Sequence, residues 1–60
     1  SPETVNVENT QAQIAFYDFM VEFYTNQLNA PGVTEEEQAE YQSMIDSMST
    51  ARNNLEERLS

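Results

Sequence analysis

Apolar residues recur at intervals of three and four along both halves of the chain, a pattern that predicts two amphipathic helices. The halves meet at residues 29–32 (NAPG), where proline fixes φ and glycine can adopt a positive φ, so this segment predicts a turn. We therefore expect an all-α, antiparallel helical hairpin, with helices over about residues 6–29 and 35–58. The hairpin accounts for the whole chain as one domain, and residues 1–5 fit a helix less well because they include β-branched side chains.

Capping residues support these helix boundaries. Thr34 is followed three positions later by Glu37, the spacing of a capping box at the start of the second helix. Three N-caps are open for the first helix, and two residues are candidates to end it in a left-handed conformation. They are Ser1, Asn6 and Asn9 for the start, and Asn29 and Gly32 for the end.

One apolar stripe on each predicted helix forms the expected core. The apolar residues of each stripe recur at helical spacing and therefore lie on one side of their helix. A hairpin can bring the two stripes together. The predicted hairpin core is Ile14, Tyr17, Val21, Tyr24, Leu28, Tyr41, Met44, Ile45, Met48, Leu55 and Leu59.

The first helix carries a second apolar stripe beside the first, and together they cover roughly 220° of its circumference. A hairpin buries only one stripe of each helix, so the second stripe is left over. Burying one Phe side chain is worth about 1.5–3 kcal/mol, and an exposed apolar patch of this size usually marks an interface. The predicted interface is Ala12, Phe16, Phe19, Met20 and Phe23.

Three ways of covering this second stripe remain open. Two hairpins can associate into a homodimeric four-helix bundle, with the first helix at the centre of the contact. A different protein can take the same surface. Residues 1–8 can also fold back and cover it with Val5 and Val7. In a domain of fewer than roughly 70–80 residues, the hydrophobic core rarely supplies more than ~3–5 kcal/mol of folding stability. The small size of this chain therefore favours association.

Composition narrows the classes of function. The chain has 11 acidic residues against two arginines, a net charge of −9, and no lysine, histidine or cysteine. Direct binding to nucleic acid or to anionic membranes needs a basic surface and is disfavoured. Thiolate and imidazole chemistry is excluded because the side chains are absent. We expect no enzymatic activity, no cofactor and no metal.

The polar surfaces have structural interpretations with functional alternatives. Acidic residues cluster where a helix dipole favours negative charge, so they are interpreted as a helix N-terminus, with a cation site or a docking patch as the alternative. This acidic patch is Glu35, Glu36, Glu37 and Glu40. Asp18 and Glu22 are four positions apart, and paired carboxylates of this kind can act in acid–base catalysis. We expect both on a solvated face instead. A row of small polar residues is interpreted as a solvent face, or else a secondary docking strip: Ser43, Ser47, Thr50 and Asn54.

These observations favour a non-catalytic protein–protein interaction module, a small acidic adaptor or inhibitor that binds through the second stripe. One alternative, motivated by the charge, is a nucleic-acid mimic that occupies a basic groove on a target protein. Another is a small structural subunit of a larger complex or particle. The sequence has neither the ~18-residue apolar run that crosses a bilayer nor a signal-peptide pattern, so a cytoplasmic location is expected.

Overall fold

The computed structural model describes residues 6–60 and contains two helices, α1 over Val7–Leu28 and α2 over Glu35–Glu57. A short connection joins them, and they pack against each other as a helical hairpin. Both helices end within a residue or so of the predicted boundaries, so the all-helical hairpin is confirmed. The candidate N-cap at Ser1 and residues 1–5 of the possible fold-back lie outside the described residues. The part of that fold-back that involves Val7 was wrong, because Val7 begins α1 and is 52% exposed.

Side chains at the predicted caps define where both helices begin. The Asn6 carboxamide oxygen accepts a hydrogen bond from the Asn9 backbone N–H at 2.9 Å, which identifies Asn6 as the N-cap of α1. At α2, the Thr34 hydroxyl oxygen accepts from the Glu37 N–H at 3.1 Å, and the Glu37 carboxylate accepts from the Thr34 N–H at 3.2 Å. The predicted capping box is therefore confirmed, and it fixes the start of α2 by local contacts.

Removing the Thr34 hydroxyl should weaken the hairpin measurably. We expect Thr34→Ala to lower the free energy of unfolding by about 1 kcal/mol, because the Glu37 N–H loses its partner at the helix start. Urea denaturation followed by circular dichroism measures the change. Thr34→Ser keeps the hydroxyl and serves as the control. Equal midpoints for the alanine and serine variants would contradict a stabilising cap.

Of the two candidates for a left-handed conformation after α1, Gly32 adopts it and Asn29 does not. Gly32 has φ +84°, where a residue with a Cβ is strained. Asn29 has φ −91°, so of the two alternatives only Gly32 is realised. Its backbone N–H and its side-chain amide both donate to the Thr25 carbonyl, at 3.2 and 3.0 Å, which keeps Asn29 against the last turn of α1.

The core is a narrow strip along the contact between the helices. Leu55 is 8% exposed and Thr10 only 6%, and most other predicted core residues are half-buried. Met44 is 42% exposed, so its assignment to the core was wrong. Two helices touch along one line, and Met44 lies at the edge of its stripe, where none of the residues 6–60 covers it. The half-buried members are Ile14, Tyr17, Val21, Tyr24, Leu28, Tyr41, Ile45, Met48 and Leu59.

Two contacts between the helices fix their alignment. Near the turn, the rings of Tyr24 and Tyr41 lie 6.0 Å apart. Farther from it, the Arg52 Nε donates to the Asp18 carboxylate at 2.6 Å, and Arg52 also pairs with Glu56 on its own helix. Both hydrogen bonds raise the pKa of Arg52, and the one with Asp18 contributes most. Asp18 is exposed, as expected for a solvated face, but the sequence did not indicate its pairing with α2.

Neither of the helices in the described part of the chain combines the length and the apolar composition that crossing a membrane requires.

Candidate protein-interaction face

Three phenylalanines of α1 point away from α2 and form what we call the aromatic face, Phe16, Phe19 and Phe23. Their exposed fractions are 58%, 64% and 44%. Ala12 of the predicted interface is also exposed, whereas Met20 is half-buried at the border between the aromatic face and the core. The described residues therefore leave the second stripe of α1 largely uncovered.

Two of the three rings are held in place by neighbouring tyrosines. The Phe16 and Tyr17 ring centroids lie 5.9 Å apart at an interplanar angle of 64°, and those of Phe23 and Tyr24 lie 5.4 Å apart at 76°. Both are edge-to-face arrangements, which aromatic rings prefer. The tyrosines are half-buried against α2, so each exposed phenylalanine has an edge-to-face contact with a ring that packs between the helices.

The repeated Phe-Tyr pair is a signal that sequence reasoning missed. The two pairs are seven positions apart, so each repeats the same arrangement of one exposed and one half-buried ring. The prediction placed the tyrosines in the core and the phenylalanines in the interface, but it did not connect the two sets. In the structure, two of the core tyrosines contact exposed phenylalanines of the predicted interface.

The aromatic face is large for a single chain of this size. A fully exposed Phe side chain has about 200 Å² of solvent-accessible surface. The three exposed fractions therefore correspond to roughly 330 Å² of exposed apolar surface. The largest apolar patch on an ordinary monomer is about 300–600 Å² and is often functional. Three aromatic side chains on one helix therefore reach that range by themselves, before the neighbouring alanine and methionine are counted.

A shallow groove shows which side of α2 lies beside the aromatic face. Its volume is about 280 Å³, and it is lined by Gln13, Tyr17, Ala51, Asn54, Leu55 and Arg58. Phe16 follows Gln13 by three positions, and Met44 precedes Ala51 by seven, so helical geometry places both on the groove side of the hairpin. We call Met44, Ser47 and Ala51 the α2 flank. It includes part of the predicted docking strip together with the exposed methionine.

Charge is distributed unevenly along the hairpin. The half next to the turn, residues 19–48, carries six carboxylates and no cation, a net charge of −6. In the other half, residues 6–18 and 49–60, four carboxylates and both arginines give −2. The predicted acidic patch at the start of α2 is exposed throughout. Within residues 6–60, no three carboxylates come together in a way that could hold a metal ion.

No protein-family model matches the chain, and comparison with curated proteins and with solved structures finds no match either. The aromatic face, the tyrosines that support it and the uneven charge are therefore the features from which a function can be inferred.

Proposed function

We propose that this chain is a non-catalytic protein-interaction module and that the aromatic face is its binding surface. The observation that carries the proposal is the exposure of Phe16, Phe19 and Phe23 on a hairpin whose helices are otherwise well capped and paired. Covering such a face with a partner contributes a favourable free energy of about 25 cal/mol for each Å² of apolar surface removed from water.

Self-association is the form of binding that uses this face most fully. Two hairpins that meet through their aromatic faces would make a four-helix bundle, with α1 of each copy at the centre of the contact. One patch then covers its own equivalent on a second molecule, as in a two-fold symmetric dimer. The same face suits an adaptor or inhibitor that binds a different protein, and that is the alternative occupant.

Molar mass in solution tests the self-association directly. Size-exclusion chromatography with light scattering at tens of micromolar should give twice the 6.9 kDa of one chain. A monomer with a cooperative thermal melt would contradict the dimer. A chain that is unfolded alone and folds only with another protein would instead favour a structural subunit of a larger complex.

The placement of charge weighs against a nucleic-acid mimic. Duplex DNA carries one charge for each ~1.7 Å of its axis, evenly along its length. Here six of the ten carboxylates of residues 6–60 lie in the half next to the turn, and the other four share the opposite half with both arginines, Arg52 and Arg58. A mimic would present a continuous acidic surface, whereas this chain presents an acidic end and an apolar side.

Salt should strengthen the association. Each copy carries −9, so two copies repel each other, while the aromatic contact itself is insensitive to screening. Raising the ionic strength from about 0.01 M to about 0.1 M shortens the Debye length from about 30 to about 10 Å. We expect the dimer dissociation constant, measured by analytical ultracentrifugation, to fall over this range. A mimic bound to a basic groove would lose affinity under the same change.

A further inference from the structure

We propose that a second copy covers the groove side of the hairpin, so that both helices of each copy take part in the contact. The groove side carries the shallow groove and consists of Phe16, Met20 and Phe23 of α1 together with the α2 flank. This inference rests on the proposed function, because it assigns the part of the surface through which the chain self-associates. It places two phenylalanines of the aromatic face inside the contact and Phe19 outside it.

Phe19 lies on the side of α1 that faces directly away from α2. It is nine positions from both Thr10 and Leu28, which is two and a half helical turns. Thr10 is 6% exposed and Leu28 is half-buried, so these two side chains mark the side that α2 covers. A contact centred on Phe19 would leave α2 of each copy on the outside, with two separate cores. A four-helix bundle has one core shared by all four helices, so it requires the groove side.

Apolar side chains of both helices are uncovered on the groove side. Met20 follows Gln13, which lines the groove, by seven positions, and Phe16 and Phe23 lie within four positions of Met20. On α2, Met44 is 42% exposed. A second copy on this side therefore covers side chains of both helices that the single hairpin leaves exposed or half-buried.

The opposite side of the hairpin is polar. Asp18 follows Gln13 by five positions, which is about 140° around α1, so its ion pair with Arg52 lies away from the groove. Glu22 follows Asp18 by four positions, and Glu56 pairs with Arg52. A contact on that side would remove charged groups from water, which is costly, whereas a contact on the groove side leaves them solvated.

The area that a stable dimer needs also calls for both helices. Specific interfaces bury at least about 1,200 Å² in total. Helix α1 has 22 residues and is about 33 Å long, and two packed helices are together about 20 Å wide. Two copies that meet on the groove side can therefore bury roughly 1,300 Å². A contact through α1 alone is about half as wide and stays below the size of a specific interface.

Charge favours a second copy as the occupant of the groove side. Glu36, Glu37 and Glu40 each precede a residue that lines the groove by 18 positions, which is five helical turns. With Arg58, which lines the groove itself, these three carboxylates give the groove side a net charge of −2. The other seven carboxylates and one arginine of the described residues amount to −6. Two acidic copies therefore repel each other least on the groove side, whereas a basic partner is attracted elsewhere.

Two serine variants of α1 test which surface is covered. Phe16→Ser should raise the dimer dissociation constant by about tenfold or more, because each dimer loses two covered rings. Phe19→Ser should change it by less than about threefold. In the single chain Phe19 is the more exposed of the two, at 64% against 58%, so exposure alone predicts the reverse order. Sedimentation equilibrium measures both constants. A larger effect of Phe19→Ser would overturn the inference and leave the proposed function in place.

An added charge on α2 gives a second test. Met44→Glu places a carboxylate inside the proposed contact and should weaken the dimer by about tenfold or more. The control is Gln38→Glu, since Gln38 precedes Arg52 by 14 positions and lies on the side of the ion pair. Both variants change the net charge from −9 to −10, so only the place of the charge differs. Equal dissociation constants for the two variants would contradict a contact through α2.

Nuclear magnetic resonance of the unmodified chain makes the test independent of how well any variant folds. Equal amounts of unlabelled protein and of protein isotope-labelled at the Met and Ala methyl groups are mixed. Filtered nuclear Overhauser spectra then report contacts between copies only. We expect cross-peaks to the unlabelled copy from the methyl groups of Met44 and Ala51. Ala39 is the control, because it is exposed and lies nine positions from the half-buried Met48, on the far side of α2.

The same spectra separate failure of this inference from failure of the proposed function. A dimer in which Met44 and Ala51 give no cross-peaks would overturn the groove-side contact and leave self-association in place. Cross-peaks from Ala12 in their stead would place the contact on the back of α1. A chain that is monomeric by light scattering would overturn both proposals.

Discussion

The chain with Phe16→Ser and Phe23→Ser should be monomeric at concentrations at which the parent chain is dimeric. Each phenylalanine buried at an interface contributes about 1.5–3 kcal/mol, and both copies lose two of them. Four side chains are lost in each dimer, and each is only about half exposed in the single chain, so the loss is at least about 3 kcal/mol and weakens the dimer by about a hundredfold or more. Sedimentation equilibrium over a range of concentrations measures the change.

The hairpin itself should survive this substitution, because both side chains are largely exposed in the single chain. Far-ultraviolet circular dichroism reports the helix content. A matched control replaces two exposed glutamines away from the aromatic face, Gln11→Ser and Gln38→Ser, and should remain dimeric. If the Phe variant unfolds as it dissociates, a melting temperature of the parent chain that rises with concentration still reports self-association. A double Phe variant that stays dimeric contradicts the proposal.

The same variant separates the two possible occupants of the aromatic face. The parent chain and the Phe variant are used in parallel as bait, and the captured proteins are compared. A protein captured by both has its contact elsewhere on the hairpin. A protein lost with the Phe side chains shares the surface that makes the dimer, and dimerisation then competes with its binding.

Leu55→Ala should unfold most of the chain. Among residues 6–60, Leu55 is the most deeply buried apolar side chain, and the substitution removes the best-packed part of the contact between the helices. Such replacements cost about 2–5 kcal/mol, and a domain of this size has only ~3–5 kcal/mol in total. Thermal melting followed by circular dichroism should show a large loss of helix at room temperature.

Leu59→Ala is the control for this prediction. Leu59 is half-buried and lies beyond the end of α2, so its truncation removes fewer contacts and should lower the melting temperature less. Equal shifts for the two leucine variants would show that stability is not concentrated at Leu55. A Leu55 variant that melts with the parent chain would contradict the proposed core.

Helix boundaries follow from the sequence because the contacts that define them are local. Asn6 caps a backbone N–H three positions away, and Thr34 and Glu37 satisfy each other across the same spacing. The periodicity of α1 likewise predicts two stripes without knowledge of the partner helix, since a helical period assigns every residue to a face. The exposed aromatic face is the consequence, and the sequence indicates it because a hairpin can cover only one stripe.

The rotation and alignment of one helix against the other are decided only by the tertiary structure. They set how deeply each side chain is buried and which residues pair across the hairpin. That rotation leaves Met44 exposed at the edge of the contact and buries Thr10, although their chemical character suggests the reverse. The alignment joins Asp18 to Arg52 across 34 positions of sequence. It also seats the supporting tyrosines against α2. Helical periodicity says which residues share a face, but only packing between the helices determines how deeply each face is covered.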